Sequence, residues 1–136
     1  MSTSKKLRVI VFEDNQAVSD LFKKMLQGFG HHVLTFSDPT VFHVCRDPEC
    51  EYHEDSSCAD ALIVDIMMPN MNGIEFMKLQ RERGCNILHE NKALMSAVTS
   101  PQQQAAVEEF GCHFFKKPFK ISEVKKWLEE CAERIH

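Results

Sequence analysis

The sequence predicts an α/β fold: one domain with a parallel sheet of five short strands, covered on both faces by about five helices. Three observations carry this reading. Five short apolar runs have the length and composition of strands buried on both faces. Between them lie stretches with apolar residues at three- and four-residue spacing, the helical signal. The two patterns alternate along the chain, the order that gives parallel strands joined by helical crossovers. With 136 residues, 43% of them hydrophobic, there is enough chain for one core and not for a second domain.

The elements follow in order. After a flexible start over 1–6, Leu7–Phe12 is the first strand, rich in β-branched residues. Ala17, Val18, Leu21, Phe22, Met25, Leu26 and Phe29 then form one helical stripe, with Gly28 and Gly30 as its stop. His32–Phe36 is the second strand. Asp38-Pro39 opens a second helix reaching Cys45, and the polar, turn-rich residues 46–60 form an extended loop. Ala61–Asp65 is the third strand. Pro69 and Gly73 mark a loop, and Ile74–Arg83 the next helix, ended by Gly84. Ala93–Val98 is the fourth strand. Ser100 caps the following helix with Pro101 in its first turn, and Gly111 stops it. Cys112–Phe115 is the fifth strand. Ile121, Val124, Trp127, Leu128, Cys131 and Ile135 mark the final amphipathic helix. Right-handed crossovers leave few topologies, and the flavodoxin-like strand order 2-1-3-4-5 suits five such units.

Composition narrows the function. The net charge of −4 gives no basic face for nucleic acid. No apolar run approaches the ~20 residues that span a bilayer. The start MSTSKK lacks the apolar core of a secretion signal, so a cytoplasmic location is the default. The six cysteines are then read as thiols.

In an open parallel sheet, ligands bind beyond the carboxyl ends of the strands. Those ends carry Glu13-Asp14, Asp65, Ser96 and Lys116-Lys117-Pro118. Three clustered carboxylates repel unless compensated. A hard divalent cation, Mg²⁺ or Mn²⁺, favours such oxygen ligands. A carboxylate can also act as a nucleophile and form an aspartyl-phosphate. The metal, Lys117 and the Ser96 hydroxyl then supply the charge neutralisation that phosphoryl transfer needs.

These residues resemble the signature of the receiver domains of two-component response regulators, over nearly the whole chain. The signature has an acidic pair after the first strand, here Phe12-Glu13-Asp14-Asn15. It has a phosphoacceptor within D-x-x-M-P-x-x-x-G, here Asp65 to Gly73. It has a Ser or Thr before a small residue, here Ser96-Ala97, and an aromatic three residues before Lys-Pro, here Phe114 with Lys117-Pro118. The resemblance implies that Asp65 takes phosphate from a phosphohistidine on a sensor histidine kinase or phosphotransfer protein. It implies Mg²⁺ held by Glu13, Asp14, Asp65 and the Met67 backbone carbonyl, and a cis bond before Pro118. It also implies Ser96 and Phe114 as switch residues reshaping the face of the fourth helix, fifth strand and fifth helix. That face would bind a downstream target or a second copy of the chain. The product is a signalling switch that catalyses only its own phosphorylation and dephosphorylation, either standing alone or cut from a longer protein.

Plainer readings stand beside these. Asp65 is also a residue type that caps turns, Ser96 a common loop-end residue, and Phe114 an ordinary core aromatic. Met67, Met68 and Met71 form a soft apolar rim. His31, His32, His89 and His113 show no partner pattern and read as surface or loop-end residues. Cys85, Cys112 and Cys131 read as small hydrophobes. The segment Cys45–Cys58 departs from the family pattern. Cys45, Cys50, His53 and Cys58 are zinc-type ligands in C-x4-C-x2-H-x4-C spacing, without the tight C-x2-C pair. A family-specific loop, a zinc or thiol sensor and a Cys50–Cys58 disulfide all remain open there. Other whole-chain readings are an aspartate-nucleophile phosphatase and a phosphate-independent scaffold. Met67 stands where the phosphatase needs a second acid, and the intact acidic set argues against the scaffold.

Overall fold

The computed structural model describes residues 6–38, 59–68, 71–82 and 87–135. The elements are β1 (Arg8–Phe12), α1 (Gln16–Gly28), β2 (His32–Phe36), β3 (Ala61–Asp65), α2 (Gly73–Glu82), β4 (Lys92–Ser96), α3 (Pro101–Phe110), β5 (His113–Lys116) and α4 (Ile121–Arg134). The five strands are all parallel, in the order β2-β1-β3-β4-β5. The chain thus has the flavodoxin-like order expected from the alternating pattern. Four α-helices lie among the described residues. The helix predicted from Asp38-Pro39 to Cys45 and almost all of the 46–60 loop fall outside them.

Strand alternation builds two cores. Val9 and Val11 of β1, Ile63 of β3 and Phe115 of β5 pack with Phe22 and Leu26 of α1 and with Trp127 and Leu128 of α4. Ile10 and Phe12, Leu62 and Val64, and Leu94 pack on the other face with Phe76 and Met77 of α2 and with Ala106 and Phe110 of α3. Every residue of β3 is buried, as its unbroken apolar run requires in the centre of a covered sheet. Side chains caps fix where the helices begin. Asn15 Oδ1 accepts the Val18 N–H at 3.1 Å, and Ser100 Oγ accepts the Gln103 N–H at 3.2 Å. Asn72 and Glu75 cap α2 reciprocally, each side chain accepting the other's backbone N–H. Gly111 closes α3 at φ +64°, a left-handed conformation that glycine adopts without a Cβ clash.

Several boundaries differ from expectation. The fourth strand ends at Ser96 rather than Val98, because the Val98 N–H turns back to Ser96 Oγ. It also begins one residue earlier, at a buried Lys92. The fifth strand is shifted to His113–Lys116, since the Cys112 N–H still bonds Val107 O at the end of α3. His31 sits at a loop end, between α1 and β2, but is buried there rather than at the surface. It is 8% exposed, and its Nδ1 accepts the Leu7 N–H at 3.1 Å. Among the described residues no helix is long and apolar enough to cross a membrane.

Candidate functional site

The carboxyl ends of β1, β3, β4 and β5 meet at one mouth. Glu13 follows β1, and its N–H bonds Phe36 O at 2.9 Å, which holds the turn leaving the sheet. Asp65 is the last residue of β3, and the next N–H, of Ile66, bonds Met95 O. Ser96 ends β4, and its carbonyl accepts the Lys117 N–H at 2.9 Å. The Lys117–Pro118 peptide bond is cis. Backbone pairing thus brings four residues of the predicted set, Glu13, Asp65, Ser96 and Lys117, to fixed positions before any side chain is considered.

The side chains form a compact charged group. Lys117 Nζ lies 2.7 Å from Asp65 Oδ2 and 2.9 Å from Glu13 Oε1. Asp65 is 3% exposed and Glu13 1%, while Asp14 is exposed. Oxygens of Glu13, Asp14 and Asp65 lie within 4.8 Å of one another. Backbone donors complete the group: the Met67 N–H reaches Asp65 Oδ1 at 3.0 Å, and the Asn15 N–H reaches Glu13 Oε2 at 3.1 Å.

Electrostatics follow from that packing. Burial is the main cause that lifts the Glu13 carboxyl to about 7, with the neighbouring Asp65 carboxyl adding to it. Lys117 and the Asn15 N–H oppose the rise without cancelling it. For Lys117 burial works to lower the value, but the bonds to Asp65 and Glu13 outweigh it and hold the ammonium charged. One cation therefore partly compensates three clustered acids. The deficit of positive charge, with one acid open to solvent, is the donor set a hard divalent ion fits.

Other predicted residues sit differently. The Ser96 hydroxyl is fully buried and accepts the Val98 N–H at 3.1 Å. Phe114 is half-buried against the core under α2 and α3. Met67 points an exposed side chain outward, 66% accessible, as does Val98 on the next loop. Cys45, Cys50, His53 and Cys58 lie outside the described residues, and zinc finds no support among the rest. Gly73, which the sequence places in the signature without a role, has one in the packing. A Cβ on Gly73 would lie 2.6 Å from the Asp65 carbonyl oxygen and 3.0 Å from Ile66 Cα. The glycine lets the start of α2 press against the strand end that carries Asp65. Its fixed spacing from Asp65 was the available signal.

Comparison with known proteins gives the family. Residues 9–129 match the family described as the response regulator receiver domain, and the chain belongs to that family. It is 28% identical over 124 residues to a probable transcriptional regulatory protein of Picosynechococcus, covering 89% of this chain and 47% of that protein. It is 28% identical over 130 residues to the sensory/regulatory protein RpfC of Xanthomonas campestris, covering 94% of this chain and 17% of that one. The chain thus spans about half, or much less, of the length of these curated relatives. The same family module occurs in transcriptional regulators and in sensor kinases.

Solved structures share the fold. The receiver domain of the Francisella response regulator 1452 superposes with a TM-score of 0.76 at 20% identity, covering 95% of this chain and 98% of that one. The receiver domain of the sensor histidine kinase PA1611 of Pseudomonas aeruginosa superposes with a TM-score of 0.71 at 18% identity, covering 95% of this chain and 99% of that one. That structure holds a magnesium ion coordinated in its active-site cleft.

Proposed function

We propose that this receiver domain accepts a phosphoryl group from a phosphohistidine onto Asp65. The donor is a sensor histidine kinase or a histidine phosphotransfer protein. The observation that carries the reading is the Lys117 ammonium, held 2.7 Å from Asp65 Oδ2 while backbone N–H donation orients Oδ1. This is a carboxylate fixed in place beside a cation, which a nucleophile toward phosphorus requires.

An Asp65 oxygen attacks phosphorus as the P–N bond breaks, and the donor ring, protonated on its other nitrogen, leaves with the electron pair as neutral imidazole. Lys117 neutralises charge on one phosphoryl oxygen, and the Ser96 hydroxyl donates to another after leaving the Val98 N–H. Glu13, Asp14, Asp65 and the Met67 backbone carbonyl would hold Mg²⁺ or Mn²⁺. When bound, the ion supplies charge neutralisation at the phosphoryl oxygens. The exposed Met67 and Val98 side chains give the mouth an apolar rim for a docking helix.

Release of the Ser96 hydroxyl and movement of Phe114 would reshape the face of α3, β5 and α4, a shift between two packings biased by local charge. This is the face counted as fourth helix, fifth strand and fifth helix in the sequence. It would bind a downstream protein target or a second copy of the chain. The domain acts in the cytoplasm as a switch, and its only catalysis is its own phosphorylation and dephosphorylation. Phosphotransfer from an autophosphorylated histidine kinase tests the reading. Label should move to the wild-type chain with Mg²⁺ and not to Asp65→Asn. Equal labelling of both would overturn it.

A further inference from the structure

The pole of the sheet opposite Asp65 carries a buried titratable group that phosphoryl transfer does not use. His31 sits in the turn between α1 and β2. Its backbone N–H closes the end of α1 on Leu26 O at 3.1 Å. Its ring Nδ1 accepts the N–H of Leu7, a fully buried residue at the entry to β1. The following N–H, of His32, bonds Leu7 O at 2.9 Å. Both backbone groups of Leu7 are thus held by two consecutive histidines.

We infer that His31 is an acid-sensitive latch: neutral, it ties the entry of β1 to the α1–β2 turn, and protonated, it releases Leu7. The direction of one hydrogen bond, from the Leu7 N–H to His31 Nδ1, fixes the tautomer. An Nδ1 that accepts must carry a lone pair, so the ring proton sits on Nε2. A second proton can enter only at Nδ1, where it would face the Leu7 N–H, donor against donor. That N–H is buried and cannot turn to water, so the bond is lost without replacement.

The surroundings do not offset the charge. The ring lines a small recess with Phe29 at the C-terminal end of α1 and Lys125, Leu128, Glu129 and Ala132 from α4. Lys125 and Glu129 are the charged groups facing it from α4, and they oppose each other in sign. α1 presents the Phe29 ring. Lys6 beside Leu7 and His32 next along β2 are both exposed. Burial accordingly lowers the His31 pKa from the ordinary 6.5. A histidine whose folded value lies below its unfolded value contributes stability that is complete above about pH 6.5 and is lost as pH falls through the folded value. A rise in acidity then loosens the entry of β1 and the packing of α1 against α4, with Asp65 untouched.

The test compares wild type with His31→Asn, whose Oδ1 can accept the Leu7 N–H but does not titrate. Thermal midpoints are measured from about pH 8 to about pH 5, the range in which imidazole changes charge. The wild-type midpoint should drop relative to the variant below about pH 6.5 and run parallel to it above. The difference removes contributions common to both chains. Acetyl-phosphate labelling at neutral pH should be equal in the two. Nitrogen-15 NMR of the wild type gives a second reading: a neutral Nε2–H tautomer, a His31 midpoint below 6.5, and a Leu7 amide that loses exchange protection as His31 protonates. Parallel pH curves, an Nδ1–H tautomer or a midpoint above the ordinary value would overturn the latch.

Discussion

Replacing Gly73 by Ala tests how closely α2 is packed onto the strand that carries Asp65. The new Cβ would lie 2.6 Å from the Asp65 carbonyl oxygen, about 0.8 Å inside ordinary contact, and 3.0 Å from both Ile66 Cα and Val64 Cγ1. Two of the three obstructing atoms are backbone in a buried strand end and cannot swing aside. Overpacking of this kind costs about 1–3 kcal/mol. Alanine offsets up to ~1 kcal/mol of that through helix propensity and reduced freedom of the unfolded chain. The net loss is about 1–2 kcal/mol, a roughly 5- to 30-fold fall in the folded-to-unfolded ratio. Urea denaturation should show a lower midpoint at unchanged slope. Because the displaced atom belongs to Asp65, phosphoryl uptake should slow too, by up to ~100-fold for a shift near 1 Å. Gly28→Ala is the control: nothing lies within 4 Å of its Cβ position, so it should be neutral or stabilising. If Gly73→Ala matches Gly28→Ala in stability, the close approach does not constrain the site.

Three further outcomes follow from the geometry. Lys117→Met removes the cation between Glu13 and Asp65 and should destabilise the metal-free protein by about 2–4 kcal/mol, less than a fully enclosed pair because Lys117 is partly exposed. Mg²⁺ should restore part of the thermal midpoint, and a midpoint equal to wild type without metal would contradict that role for Lys117. Ser100→Ala removes the cap of α3 and should cost about 1 kcal/mol in denaturation while leaving phosphoryl uptake unchanged. Glu13, lifted to about 7, binds a proton in the folded state that the unfolded chain takes up only near 4.5. Its contribution to the metal-free protein therefore grows as pH falls from about 7 to about 4.5. Mg²⁺ needs the ionised carboxylate, so binding should release protons near neutrality and weaken on acidification, which calorimetry in buffers of different ionisation heat reads directly.

Much of this was legible in the sequence, and the reason is local. A buried parallel strand must be apolar throughout, so Ala61–Asp65 announces itself, and the first charged residue of the run falls at the strand's carboxyl end. Ser100-Pro101 and Gly111 bracket α3 because each residue type suits one end of a helix and few other places. What escaped depends on contacts remote in sequence. The burial of His31 comes from the packing of Leu7 and α4, neither of which its neighbours reveal. Lys92 enters a strand with its side chain buried, against the tendency of lysine, because β4 lies between β3 and β5. The Ser96 hydroxyl serves the turn at Val98, which composition alone does not disclose. Gly73 belongs to a recognised spacing, but only the distance to the Asp65 carbonyl shows what the missing Cβ permits.

Asp65 is the proposed carrier of the phosphoryl group. Intact-mass spectrometry after incubation with acetyl phosphate and Mg²⁺, on wild type and Asp65→Asn, addresses it most directly. Wild type should gain the mass of one phosphoryl group, chelating the metal should prevent the gain, and Asp65→Asn should stay unmodified. A wild type that remains unmodified and also fails to bind beryllium fluoride, or an Asp65→Asn variant that gains the same mass, would contradict it.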